Sequence, residues 1–248
     1  MHTSRMALAV LVAAAVACSA NASAYDTPLR TQVVKLPAEP ANPQAKPKRT
    51  CTYYPGFVVK EIDMGEVGAL DLSITAVHGE APKCGQDIAH EVNIDPETWS
   101  GYFKGAKGDF AFFDGEDGWN GGMPFAVFSG KTGHKLFSDT RKGDTYEAIE
   151  AGNGTLAIHY RRVWLAPCSL MTDAKGCWKK IVAATSLAES ARPDCAAAYH
   201  KEMERTPKFA GDIPAMAGVI SYEAEARYTG GKLTITPHAG PVECWLPE

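Results

Sequence analysis

Tyr146-Glu147-Ala148-Ile149-Glu150-Ala151-Gly152-Asn153-Gly154-Thr155-Leu156-Ala157-Ile158-His159-Tyr160-Arg161-Arg162-Val163-Trp164-Leu165 is the stretch that decides the fold. Asn153-Gly154 separates two segments, Tyr146–Ala151 and Thr155–Leu165. Both turn residues tolerate positive φ, as a tight two-residue hairpin requires, so the pair predicts a β-hairpin. Alternation along the return strand puts His159, Arg161 and Val163 on one face. Tyr160, Arg162 and Trp164 fall on the other.

The same period of two recurs on either side. Leu70, Leu72, Ile74 and Ala76 alternate with Asp71, Ser73 and Thr75, which predicts a half-buried strand. Phe110-Ala111-Phe112-Phe113 and Phe125-Ala126-Val127-Phe128 predict short aromatic strands. Ile220, Tyr222, Ala224, Ala226 and Tyr228 alternate up to a Gly230-Gly231 turn, and Leu233 and Ile235 follow on the return. Helical spacing is confined to two places. Trp178, Ile181 and Val182 mark one helix within 177–187. Cys195, Ala198, Tyr199 and Met203 share a face of a second, within 193–205, with Pro207 beyond its end. Asp95-Pro96-Glu97 predicts a short helical turn. The expected fold is α+β: mainly antiparallel β-sheet with a short helical hairpin inserted near 170–206, stapled by disulfides.

The N-terminus sets the compartment. Arg5 precedes an apolar run of twelve residues, Met6 to Ala17, and Ala22-Ser23-Ala24 fits the small-residue rule for signal peptidase. Twelve residues fall well short of the ~20 that span a bilayer as a helix. A cleaved signal peptide over 1–24 is therefore expected, leaving no transmembrane helix. Lipid attachment at Cys18 is the weaker reading, because Ala15 stands where a lipoprotein signal usually has leucine. A Pro-rich stretch follows, and 25–50 reads as an extended, flexible tether ahead of one β-rich domain over 51–248.

Besides Cys18 there are six cysteines, an even number consistent with three disulfides in an oxidising compartment. Cys168 and Cys177 bracket a strand-to-helix junction and are expected to pair. The other four cysteines leave three pairings open, and Cys51–Cys84 with Cys195–Cys244 is the one that proximity along the chain suggests. No pair has the close C-x-x-C spacing of a structural zinc site. Removing 1–24 leaves 24 cations against 29 anions, a net charge of −5. A mildly acidic chain with no basic run is a poor ligand for nucleic acid.

Familiar catalytic signatures fail on spacing. His90-Glu91 lacks the second histidine of H-E-x-x-H, since residue 94 is Ile94. Gly130-Lys131-Thr132 lacks the upstream glycine of a phosphate loop, since residue 125 is Phe125. The six histidines outside 1–24 are scattered along the chain, so neither a cofactor nor a metal is expected. The most distinctive local run is Asp114-Gly115-Glu116-Asp117-Gly118-Trp119-Asn120. It gathers three carboxylates and an amide on a glycine-rich loop, but Gly118 and Trp119 break the calcium-loop spacing.

Two candidate contact surfaces emerge: Asp114, Glu116, Asp117, Trp119 and Asn120 on that loop, and the Tyr160-Arg162-Trp164 face with its potential for cation–π recognition. The ordinary alternative for Arg162 is a cross-strand ion pair with Glu147 or Glu150. The expected function is a non-enzymatic binding or inhibitory module, in the periplasm or outside the cell, whose partner is an envelope protein or glycan. The competing expectation is a secreted hydrolase acting on an envelope polymer through the loop carboxylates.

Overall fold

A computed structural model describes residues 24–65, 68 and 71–247. Residues 1–23 of the expected signal segment, Cys18 among them, and Leu70 of the expected strand lie outside the described residues. Among those described, no helix is long and apolar enough to cross a membrane.

Two antiparallel sheets form the framework of the described residues. The smaller runs in sequence order through β1 (Arg30–Lys35), β2 (Lys48–Tyr53), β3 (Phe57–Asp63), β4 (Asp71–Ala76) and β5 (Val92–Ile94). The larger holds β6 (Gly101–Lys107), β7 (Phe110–Gly115), β8 (Met123–Ser129), β9 (Lys135–Arg141), β10 (Ala148–Gly152), β11 (Thr155–Leu165), β12 (Val219–Thr229), β13 (Lys232–Pro237) and β14 (Glu243–Trp245). Helices α1 (Ala174–Thr185) and α2 (Ala196–Arg205) are inserted between β11 and β12, where the helical hairpin is expected. Asp173 caps α1, its side chain accepting from the Gly176 amide at 2.9 Å, and Ser186 ends it in the left-handed region at φ 62°.

Local chemistry explains the turns. Asn153 (φ 51°) and Gly154 (φ 74°) form the two-residue turn that joins β10 to β11, with Gly152 paired to Thr155. One edge of β11 pairs with β12 along its whole length. The other edge is divided, β10 taking Thr155–His159 and β9 meeting it at Arg162. The divided edge lets the sheet curl until β10 reaches β6.

The layering accounts for one departure from expectation. Neither β4 nor β7 is half-buried, because Leu72–Thr75 and all of β7 are buried on both faces. Ala111, Phe113, Ala126 and Phe128 face Phe57, Val59, Leu72 and Ile74 of the smaller sheet. Phe110, Phe112, Phe125 and Val127 face the opposite way, into the hollow of the curled sheet, with Ile158, Tyr160, Trp178 and Ile181. Rings in this second core meet edge to face, Phe125 lying 5.2 Å from Tyr146 and 5.3 Å from Tyr160.

The expected tether requires correction. Arg30–Lys35 is strand β1, paired residue for residue with β2. Tyr25 packs against Phe112 at 5.5 Å, and a Cβ at Gly105 would come within 2.5 Å of its ring. Asp26 takes the Gly108 amide at 2.7 Å and Lys107 at 2.9 Å. The Pro-rich part between β1 and β2 is a loop, while the residues before it carry apolar and hydrogen-bonding groups that a proline count overlooks. The Asp95 segment is a capped turn, its side chain accepting from the Glu97 amide, and no helix follows. Disulfides join Cys51–Cys84, Cys168–Cys177 and Cys195–Cys244 at Cα separations of 5.7, 5.7 and 5.8 Å, the pairing expected from the sequence.

Candidate functional site

The Asp114–Asn120 residues divide between the core and the surface. Asp114 is buried at the end of β7, and both its carboxylate oxygens receive the Arg141 guanidinium, at 2.9 and 3.0 Å. Arg141, at 0 % exposure, also donates to the Asp144 carbonyl at 2.8 Å and lies 4.7 Å from the centre of the Tyr146 ring. Burial alone would lower its pKa, but the hydrogen bonds it donates to Asp114, together with the charges of Tyr146, Asp114 and Tyr25, outweigh this and hold the guanidinium above its ordinary value. Asp114 is thus an internal counter-ion. Glu116 is exposed and hydrogen-bonded to Ser100, while Asp117 is exposed. Asp114 and Glu116 are thus engaged by different partners, one buried and one at the surface, and Asp117 faces solvent.

Beyond Glu116 the chain makes a second tight turn. The Trp119 amide donates to the Gly122 carbonyl at 2.7 Å, and the Gly122 amide returns the bond at 2.9 Å. The two central residues, Asn120 (φ 53°) and Gly121 (φ 73°), are both left-handed. Asn120-Gly121 is therefore the same kind of turn as Asn153-Gly154, and its dipeptide was the signal in the sequence. The turn is fastened to the body of the protein. Trp245 donates its indole N–H to the Asn120 carbonyl at 2.9 Å. A Cβ on Gly122 would meet Thr140 at 2.5 Å and Val163 at 2.9 Å, so glycine is needed for this close approach. Asn120 is buried, whereas Trp119 is 66 % exposed.

This turn forms a ridge between two depressions that share Gly121. The larger, about 550 Å³, is lined by Lys142, Lys201, Arg205, Glu202 and Trp245, among others. The smaller, about 270 Å³, lies toward Met123, Gly143 and Asp144. Three cations and one acid line the larger groove, and Arg205 there is paired with Glu202 at 2.8 Å. Lys142 sits 5.4 Å from the Trp245 ring and pairs with Glu243. The latter contact holds the Glu243 carboxyl below the usual carboxylate range.

The other expected surface, Tyr160-Arg162-Trp164, is corrected by the structure. Tyr160 is fully buried, its hydroxyl donating to Asp139 at 2.5 Å. Burial, reinforced by the Asp139 charge, pushes its pKa far above the ordinary value. Arg162 pairs with Asp139 at 2.8 Å and donates to the Tyr222 hydroxyl at 2.9 Å, and Trp164 packs on the larger core. This face points into the curled sheet, and the ion pair forms across β9, not with Glu147 or Glu150. Sequence alternation separates the two faces correctly. Which one faces inward depends on the curl.

The outward face carries a group of residues that are far apart in the sequence. His159, Glu225 and His238 come together there, their ligand atoms all within 4.8 Å of one another. The register makes His159 and Glu225 direct cross-strand partners.

The chain matches no family model, no curated protein and no solved structure.

Proposed function

We propose that the protein is an exported, non-enzymatic binding module that uses the Trp119 ridge and the groove beside it to hold an acidic glycan of the cell envelope. The observation that carries this reading is Trp119: a large apolar side chain, two-thirds exposed, on a turn fixed by three independent contacts. Folding gains little from leaving an indole in water, whereas recognition gains from a rigid aromatic anchor whose ordering cost is already met. A volume of 550 Å³ falls within the usual range for small-ligand sites. Cations beside the Trp245 indole suit an acidic sugar, which offers carboxylates to Lys201, or to Lys142 and Arg205 in exchange for Glu243 and Glu202, and an apolar ring face to the aromatics. Three disulfides support residence in an oxidising compartment. The signal-like segment at 1–24 supports export to the periplasm or the cell exterior.

The hydrolase reading is less favoured, because Asp114 is held by Arg141 and Glu116 by Ser100. The test incubates the disulfide-bonded protein with peptidoglycan, acidic polysaccharides and ester substrates and looks for product. None is expected. Turnover that disappears in an Asp117→Asn variant would overturn the reading.

A further inference from the structure

We infer that His159, Glu225 and His238 form a binding site for a divalent transition-metal ion of the zinc class. His159 on β11 and Glu225 on β12 are opposite each other in the register, and the imidazole Nε2 lies 3.1 Å from the carboxylate Oε2. His238 follows the last residue of β13, and its backbone amide donates to the Glu223 carbonyl at 2.8 Å. That bond draws its ring over the other two residues. The two imidazoles meet edge to face with centroids 5.3 Å apart. Three ligand atoms within 4.8 Å need only a small side-chain adjustment to surround one ion. Tetrahedral zinc with bonds of about 2.0–2.2 Å holds its ligands roughly 3.3–3.6 Å apart.

The donor set selects the ion. Two imidazoles and one carboxylate suit zinc, whereas calcium and magnesium require a cage of oxygens. Two arginines border the site, each held by a carboxylate. Glu225 keeps its second oxygen on Arg227 at 2.8 Å, which orients the carboxylate. Glu223, whose carbonyl accepts the His238 amide, is itself paired with Arg161 at 2.5 Å. His238 is exposed, so the fourth position of a tetrahedral ion would open to solvent. The ion would tie the start of the β13–β14 connection to β11 and β12. None of the three residues lines the groove beside the Trp119 ridge, and the inference does not rest on glycan binding.

The test uses the full, disulfide-bonded chain without an affinity tag. Zinc is titrated in competition with a chromophoric chelator, and cobalt is added separately to read coordination from its visible bands. The expected result is one ion per chain with four-coordinate cobalt bands. His238→Ala should weaken zinc binding by more than roughly 100-fold, since losing even an outer-shell partner costs about 10–100-fold. Because His238 is exposed, the metal-free variant should melt with the wild type. His134→Ala, at an exposed histidine elsewhere, should bind as the wild type does. No stoichiometric zinc binding, or affinity unchanged in both His238→Ala and Glu225→Gln, would overturn the assignment.

Discussion

Arg141 joins the two kinds of contact that hold this fold together, an aromatic core and a buried charge. Its guanidinium is enclosed by Asp114, the Asp144 carbonyl and the Tyr146 ring. Replacing it with methionine would fill part of the volume but leave Asp114 buried with only Lys104 at 3.4 Å. Breaking one side of a buried pair costs about 3–5 kcal/mol. Arg141→Met should lose stability of that order in denaturant unfolding, and a loss below ~1 kcal/mol would contradict the role given to the pair. Glu61 shows the opposite effect. Burial raises its pKa above the ordinary 4.5, although its carboxylate accepts the Phe103 amide at 2.9 Å. Because the folded protein holds this proton more tightly than the unfolded chain, its contribution is most favourable below the ordinary value. It declines as pH rises through the raised one. Glu61→Gln keeps an acceptor for Phe103 and removes the buried charge. The variant should match the wild type in acid and exceed it at neutral pH, as read by urea midpoints at both. These environments were not legible in the sequence. Asp114 read as a loop acid because its partner lies 27 residues away on another strand.

At the scale of elements, β1 and the residues before it belong to the folded body. Tyr25 fills a socket over Gly105, Asp26 fixes the β6–β7 turn, and β1 covers the edge of β2. Tyr25→Ala should cost about 2–4 kcal/mol, near the lower part of the range for large aromatic truncations because the ring is only partly buried. Thermal or urea unfolding measures it, and a flexible tether would show no change. Proline density suggested a tether, yet a strand needs only a partner edge and a few side chains, and Leu36–Pro47 contains nearly all the prolines. The hairpins and the inserted helices were legible because their signals are local: Asn153-Gly154, Gly230-Gly231, and the spacing of Trp178 and Ile181. The curl of the larger sheet was not. It arises from the divided edge of β11, a long-range pairing that also turns Tyr160 and Arg162 inward and His159 outward.

At the scale of the whole molecule, the chain presents one rigid aromatic ridge beside a groove, with a histidine–carboxylate group on the surface of the larger sheet. The sequence singled out Trp119 but not its neighbours, because Lys142, Lys201, Arg205 and Trp245 reach the groove from the β9–β10 link, α2 and β14. Disulfide Cys195–Cys244 holds the last two of these elements together, Cys195 lying at the start of α2 and Cys244 within β14. Binding and folding are separable at this site, since Trp119 buries little. The most direct measurement is a calorimetric titration of the wild type and a Trp119→Ala variant with acidic envelope oligosaccharides, alongside thermal melts of both. The account predicts equal melting temperatures and at least tenfold weaker binding by the variant, about 1.4 kcal/mol. Equal affinity of the two proteins, or no binding by the wild type to any acidic glycan, would contradict it.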